Sequence, residues 1–138
     1  MGKGFNKDII GALAISIALP LILCFYFAPR WETNDDIGMS MVAHGYGLAA
    51  TSSPNLVFSN VIWGYLVQSC PQMNGLLGYS AATLVTLVIC GMTILIGLRK
   101  VGLDWITGSA TARCLLARPI LFPQFTINAG LLTVGAFV

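Results

Sequence analysis

Asn34-Asp35-Asp36 opens the stretch of this chain where chemically capable side chains are densest. Ser40 and His44 follow Asp36 at four-residue intervals. A carboxylate can take a proton from an attacking hydroxyl as general base. Two adjacent ones can instead hold a divalent cation, Mg or Mn, that neutralises a phosphate leaving group. Asp35 and Asp36 are therefore the candidate catalytic or metal-holding residues. Asn34, Ser40 and His44 are the side chains placed to bind substrate beside them. The plainer role for the acids is helix capping. Thr33 and Asp36 fit the capping-box spacing, and acids suit a first helical turn.

Those side chains need an element to carry them. The capping pattern at Thr33, with Gly45 and Gly47 as stop signals, predicts a short helix near 35–44. On it, Asp36, Ser40 and His44 share one face, each step rising about 6 Å. Asp36 and His44 then stand roughly 12 Å apart, too far for contact but able to line one groove. Ile37 and Met41 form a neighbouring apolar face. A second short helix is expected near 55–70, after the turn Thr51-Ser52-Ser53-Pro54. Trp63 and Tyr65 on it offer ring faces for stacking a sugar, and are otherwise ordinary core or interface residues.

The rest of the 138 residues decides where such chemistry would take place. Hydrophobic residues make up 57% and charged residues 9%, against about 25% charged in a soluble domain. This excludes a disordered chain and a nucleic-acid-binding module. The charges fall in three zones, Lys3–Asp8, Arg30–Asp36 and Arg99–Arg118, and 37–98 carries none. A charge at bilayer depth costs about 2.5–3.5 kcal/mol, so this layout reads as a polytopic all-α membrane protein. A span needs about 20 apolar residues. Three are expected, at 9–29, 75–98 and 119–138. The first is too long for a signal peptide and lacks its cleavage site.

The distribution of basic residues then sets the topology. Residues 1–8 form a cytoplasmic tail. Residues 30–74 form an external loop holding the two short helices. Residues 99–118 form a basic cytoplasmic loop along the inner membrane surface. Residues 55–70 are short and polar enough to lie at the interface rather than cross. In the third span, Pro119 suits the first turn and Pro123 falls inside. With no anchor after Val138, the chain is expected to be the N-terminal portion of a longer protein. The four cysteines fit neither a disulfide framework nor a metal site. Gly75, Gly78, Gly91 and Gly97 offer small faces for partner membrane helices.

One anchor span, an outward loop opening on Asn34-Asp35-Asp36, two short helices at the membrane face and further spans: this order resembles the N-terminal module of the GT-C integral membrane glycosyltransferases. Their first external loop carries an acidic signature, often a modified Asp-x-Asp, and Asn34-Asp35-Asp36 is the matching stretch. The resemblance implies a polyprenyl-phosphate-sugar donor and a glycan or glycolipid acceptor, with transfer on the noncytoplasmic face of a membrane, the bacterial inner membrane by preference. It implies Asp35 or Asp36 as the catalytic carboxylate. The alternatives are a small noncatalytic membrane subunit and a fragment of a transporter or flippase.

Overall fold

The computed structural model describes residues 2–31, 34–57, 59–70 and 78–137, with the side chains of 2–6 and 34 left out. Among these residues the fold is all-helical, with six helices and no strand. They are α1 (Gly2–Tyr26), α2 (Asn34–His44), α3 (Val61–Ser69), α4 (Gly78–Lys100), α5 (Trp105–Leu121) and α6 (Phe125–Phe137). Two compact units result. One comprises Met1–Arg30 with Thr86–Val138, the other Trp31–Val85. The chain passes from the second to the first within α4.

Two helices are long and apolar enough to cross a membrane, α1 over Lys7–Tyr26 and α4 over Gly78–Lys100. The expected third span at 119–138 is not one helix. Phe122 precedes Pro123, whose ring disfavours helical backbone at the residue before it. Phe122 is accordingly non-helical, at φ −127° and ψ 72°, and its N–H closes α5 on Arg118 O. Pro119 lies inside α5 near its end, not in the first turn of a new span. Beyond the break, α6 has 13 residues, about 20 Å at 1.5 Å per residue, short of the bilayer's apolar thickness.

Residues 105–118 are not a surface loop either. After α4 the chain turns at Gly102, whose φ of +95° suits a residue without a Cβ. Asp104 then caps α5, accepting from the N–H groups of Ile106 and Thr107 at 2.8 and 3.0 Å and from Thr107 Oγ1 at 2.7 Å. The Thr107 bonds, followed by that from Ile106, hold its carboxyl below its ordinary pKa. Gly108, Ser109, Ala112, Leu116, Pro119 and Ile120 are buried, a stripe three to four residues apart that turns one side of α5 inward.

α5 runs in the same direction as α1. Its first residue, Trp105, lies against Gly11, where a Cβ would come within 2.9 Å of the indole. Its last, Leu121, accepts a hydrogen bond from Arg30 N at 2.9 Å. Around this pair, Leu87, Cys90, Ile94, Leu116 and Ile120 form one buried cluster. Ala12, Leu95 and Ala112 form another. Close approach depends on small residues. A Cβ on Gly91 would meet Ser16 Oγ at 2.9 Å and Leu116 Cδ1 at 3.0 Å. At the Trp105 end, Arg99 pairs with Asp8 at 3.6 Å and stands 5.0 Å over the indole.

In the second unit, α3 starts later than its sequence signals indicate. Asn60 caps it by accepting from Ile62 N at 2.8 Å, and 55–57 remain non-helical. The cause lies at Gly64, where the backbone packs on Pro54; an added Cβ would lie 2.6 Å from the Pro54 carbonyl carbon. Pro54 is thus tied to the middle of α3 and cannot begin it.

Candidate functional site

α2 covers Asn34–His44 with Asp35 and Asp36 in its first turn. Thr33, the expected cap, lies outside the described residues, as does the Asn34 side chain. The inward face of α2 consists of Asp36, Met39, Ser40 and Ala43, the three-and-four spacing of a packed helix. Ile37 and Met41, the neighbouring apolar face, are half-buried.

The two acids are in different surroundings. Asp35 is exposed. Asp36 is 1% exposed, and its Oδ1 accepts a hydrogen bond from Tyr79 Oη at 3.0 Å. Tyr79, the second residue of α4, is itself 1% exposed. Its hydroxyl also approaches Met39 Sδ at 3.8 Å, and its ring stands 5.2 Å from that of Trp31 at 59°.

His44 reaches the same tyrosine from the other end of α2. The Tyr79 backbone N–H donates to His44 Nε2 at 3.0 Å. An accepting Nε2 places the neutral ring's proton on Nδ1, and burial lowers the His44 pKa below 6.5. This N–H belongs to the first turn of α4, so it has no partner within the helix. His44 therefore caps α4 as a side-chain acceptor, while Asp36 holds the tyrosine's tip. Asp36 and His44, too far apart to touch, are joined through one residue. Gly78 makes this possible, since a Cβ there would lie 2.9 Å from His44 Cε1 and 2.6 Å from Val67 O.

The other expected binding residues do not join this cluster. Ser40 is buried, with Oγ 3.0 Å from Tyr46 Oη. Tyr65 is exposed. Trp63 is half-buried, and its Nε1 has no hydrogen-bond partner among the described residues. α3 is tied to α2 by Gln68, whose Nε2 donates to Ala43 O at 3.2 Å.

No group of three His, Cys, Asp or Glu side chains that could hold a metal occurs among the described residues. Among the described residues, Asp35 and Asp36 thus have no third ligand of these types. With Asp36 accepting from a phenol and Asp35 at the surface, the pair does not by itself make a cation cage. Tyr79 is the residue that sequence reasoning missed. It sits 43 positions from Asp36, inside an expected span, and its signal was only that a tyrosine opens an apolar helix. No protein-family profile, curated protein or solved structure matches the chain.

Proposed function

We propose that the chain forms part of an integral membrane glycosyltransferase of the GT-C type. It would move a sugar from a polyprenyl-phosphate carrier to a hydroxyl of a cell-envelope glycan or glycolipid. The observation that carries the reading is the division of labour between adjacent acids. Asp36 is buried and hydrogen-bonded to the start of a span-length helix, while its neighbour Asp35 is left exposed on the same first turn. A fixed backbone with one accessible carboxylate is what a general base needs. Arg99 and Lys100 close the opposite end of α4. The preference of basic residues for the cytoplasmic side supports a noncytoplasmic Tyr79 end.

Asp35 accepts the proton of the acceptor hydroxyl as its oxygen attacks the anomeric carbon. The bond from that carbon to the phosphate oxygen breaks, and the phosphate departs on its lipid. Asp36, Tyr79 and His44 are positioning residues that hold the α2 turn. The test is sugar transfer in proteoliposomes by the full-length protein. Asp35→Asn is expected to lower the rate about 10²–10⁴-fold while amide exchange in α2 stays unchanged. Wild-type rates in Asp35→Asn and in the Asp35→Asn/Asp36→Asn double variant would overturn the reading.

A second reading, a noncatalytic membrane subunit, is favoured by one observation. Asp36 and His44 are both engaged in fastening α2 to α4, which gives the acidic turn a structural use of its own. Silent Asp35 variants in an otherwise active assembly would select it.

A further inference from the structure

We infer that α5 crosses the bilayer beside α1, so that lipid hydrocarbon surrounds the pair and α6 begins on the side opposite the N-terminus. Hydropathy alone does not single out α5, because Arg113 and Arg118 lower it. Its attachment to α1 does. The inference rests on the membrane reading of α1, not on the transferase chemistry.

Lys7–Tyr26 is the span-length stretch of α1. Leu13, Ile17, Leu21 and Phe25 stay exposed along it, and no charge lies between Asp8 and Arg30. An apolar surface of that length calls for hydrocarbon around it. α5 is tied to α1 near both limits of this stretch. Its first residue, Trp105, lies on Gly11, and its last, Leu121, accepts from Arg30 N at 2.9 Å. Between these ties, Ala12 shares a buried cluster with Ala112, and Ser16 and Leu116 both meet the Gly91 position. α5 therefore starts just inside one end of the span and finishes beyond the other. Its 17 residues rise about 25 Å. A helix lying along the membrane surface could not stay beside α1 over that depth.

The charges at the two ends agree with this path. Lys7, Arg99 and Lys100 stay at the end marked by the Asp8–Arg99 pair, at 3.6 Å, and basic residues prefer the cytoplasmic side. Arg118 goes with Leu121 to the Arg30 end. From there α6 turns back into the same layer. Leu131 packs on the cluster of Leu87, Cys90, Ile94, Leu116 and Ile120. Gly135 packs against Thr93, which lies between Gly91 and Leu95 and so at the depth of Leu116 and Ala112. Residues 122–124, which join α5 to α6, thereby form a tip on the noncytoplasmic side.

Side-specific thiol labelling of the full-length protein in membrane vesicles of known sidedness tests this. Arg30, Val101 and Phe122 are exposed, and each is replaced by cysteine in a variant whose native cysteines are alanine. A membrane-impermeant maleimide is expected to reach Val101→Cys from the cytoplasmic face alone, and Arg30→Cys and Phe122→Cys from the opposite face alone. Native Cys114, exposed near the middle of α5, is kept as the single thiol in a further variant. From either face it should react about tenfold or more slowly than Val101→Cys, since the reacting thiolate is disfavoured in apolar surroundings, and detergent should remove the difference. Labelling of Val101→Cys and Phe122→Cys from the same face, or of Cys114 at the Val101→Cys rate, would overturn the inference. Arg30→Cys separates the two ways of failing. If it labels with Val101→Cys, α1 itself does not cross, and the noncytoplasmic placement of the Tyr79 end falls too. If it labels from the opposite face, only the passage of α5 is lost. Amide exchange in α5 checks that the variants are folded.

Discussion

Replacing Tyr79 by Phe removes one oxygen from the second unit and leaves the ring, with its contact to Trp31, in place. That oxygen is the donor to Asp36 Oδ1 at 3.0 Å. Both residues are 1% exposed, so water cannot take over the bond without opening the site. A buried polar group deprived of a partner costs about 1–3 kcal/mol, or roughly 5- to 140-fold in the local opening equilibrium. Loss of this bond loosens α2 from α4, so the readout is hydrogen–deuterium exchange of the α2 amides in detergent micelles, expected to accelerate by that factor. Exchange over α5, in the other unit, should not change. Asp36→Asn keeps an acceptor at the same position and should cost less than Asp36→Ala. In a double-mutant cycle, Tyr79→Phe with Asp36→Ala should show a coupling of about 1 kcal/mol or more. Additivity within about 0.3–0.5 kcal/mol would show that the bond does not hold α2, and the positioning role given to Asp36 would be refuted.

Two further outcomes follow from the same unit. His44 is held neutral, with its pKa lowered by burial, so between its folded value and 6.5 the unfolded chain binds the extra proton. The stability His44 confers is then complete above pH 6.5 and lost as pH falls below it. Relative to the intrinsic exchange rate at each pH, protection of the α2 amides should fall on acidification in wild type and lose that pH dependence in His44→Ala. At Gly64 the helix backbone rests on Pro54. Gly64→Ala should destabilise α3 by about 1–3 kcal/mol, the usual cost of overpacking, visible as faster exchange over Val61–Ser69.

What the sequence showed and what it hid follow from which forces act locally. The uncharged runs of α1 and α4 were legible because bilayer-scale hydropathy is a property of consecutive residues. The α2 helix was legible because acids in a first turn and the stop at Gly45 are local signals. α5 was misread because Thr107, Ser109, Thr111, Arg113 and Arg118 lower its average hydropathy, although a periodic stripe from Gly108 to Ile120 was present. Weighing total polarity over spacing turned a packed helix into a surface loop. Pro123 was seen, but inside a span rather than at a break between two helices. The Asp36–Tyr79–His44 clasp was not legible, since it joins residues 35 and 43 positions apart through chemistry that neither segment displays alone.

α1 presents very different faces around its circumference. Ala12, Ser16 and Pro20 are buried at four-residue steps, while Leu13, Ile17, Leu21 and Phe25 are exposed. On the first line a single added methylene meets a neighbour. On the second, any residue oily enough suffices. Sequence drift in this helix should therefore be lopsided. One edge is held to particular small shapes and the edge beside it wanders freely among aliphatic and aromatic types, so relatives of this chain would keep a narrow ribbon of identity along an otherwise unrecognisable helix.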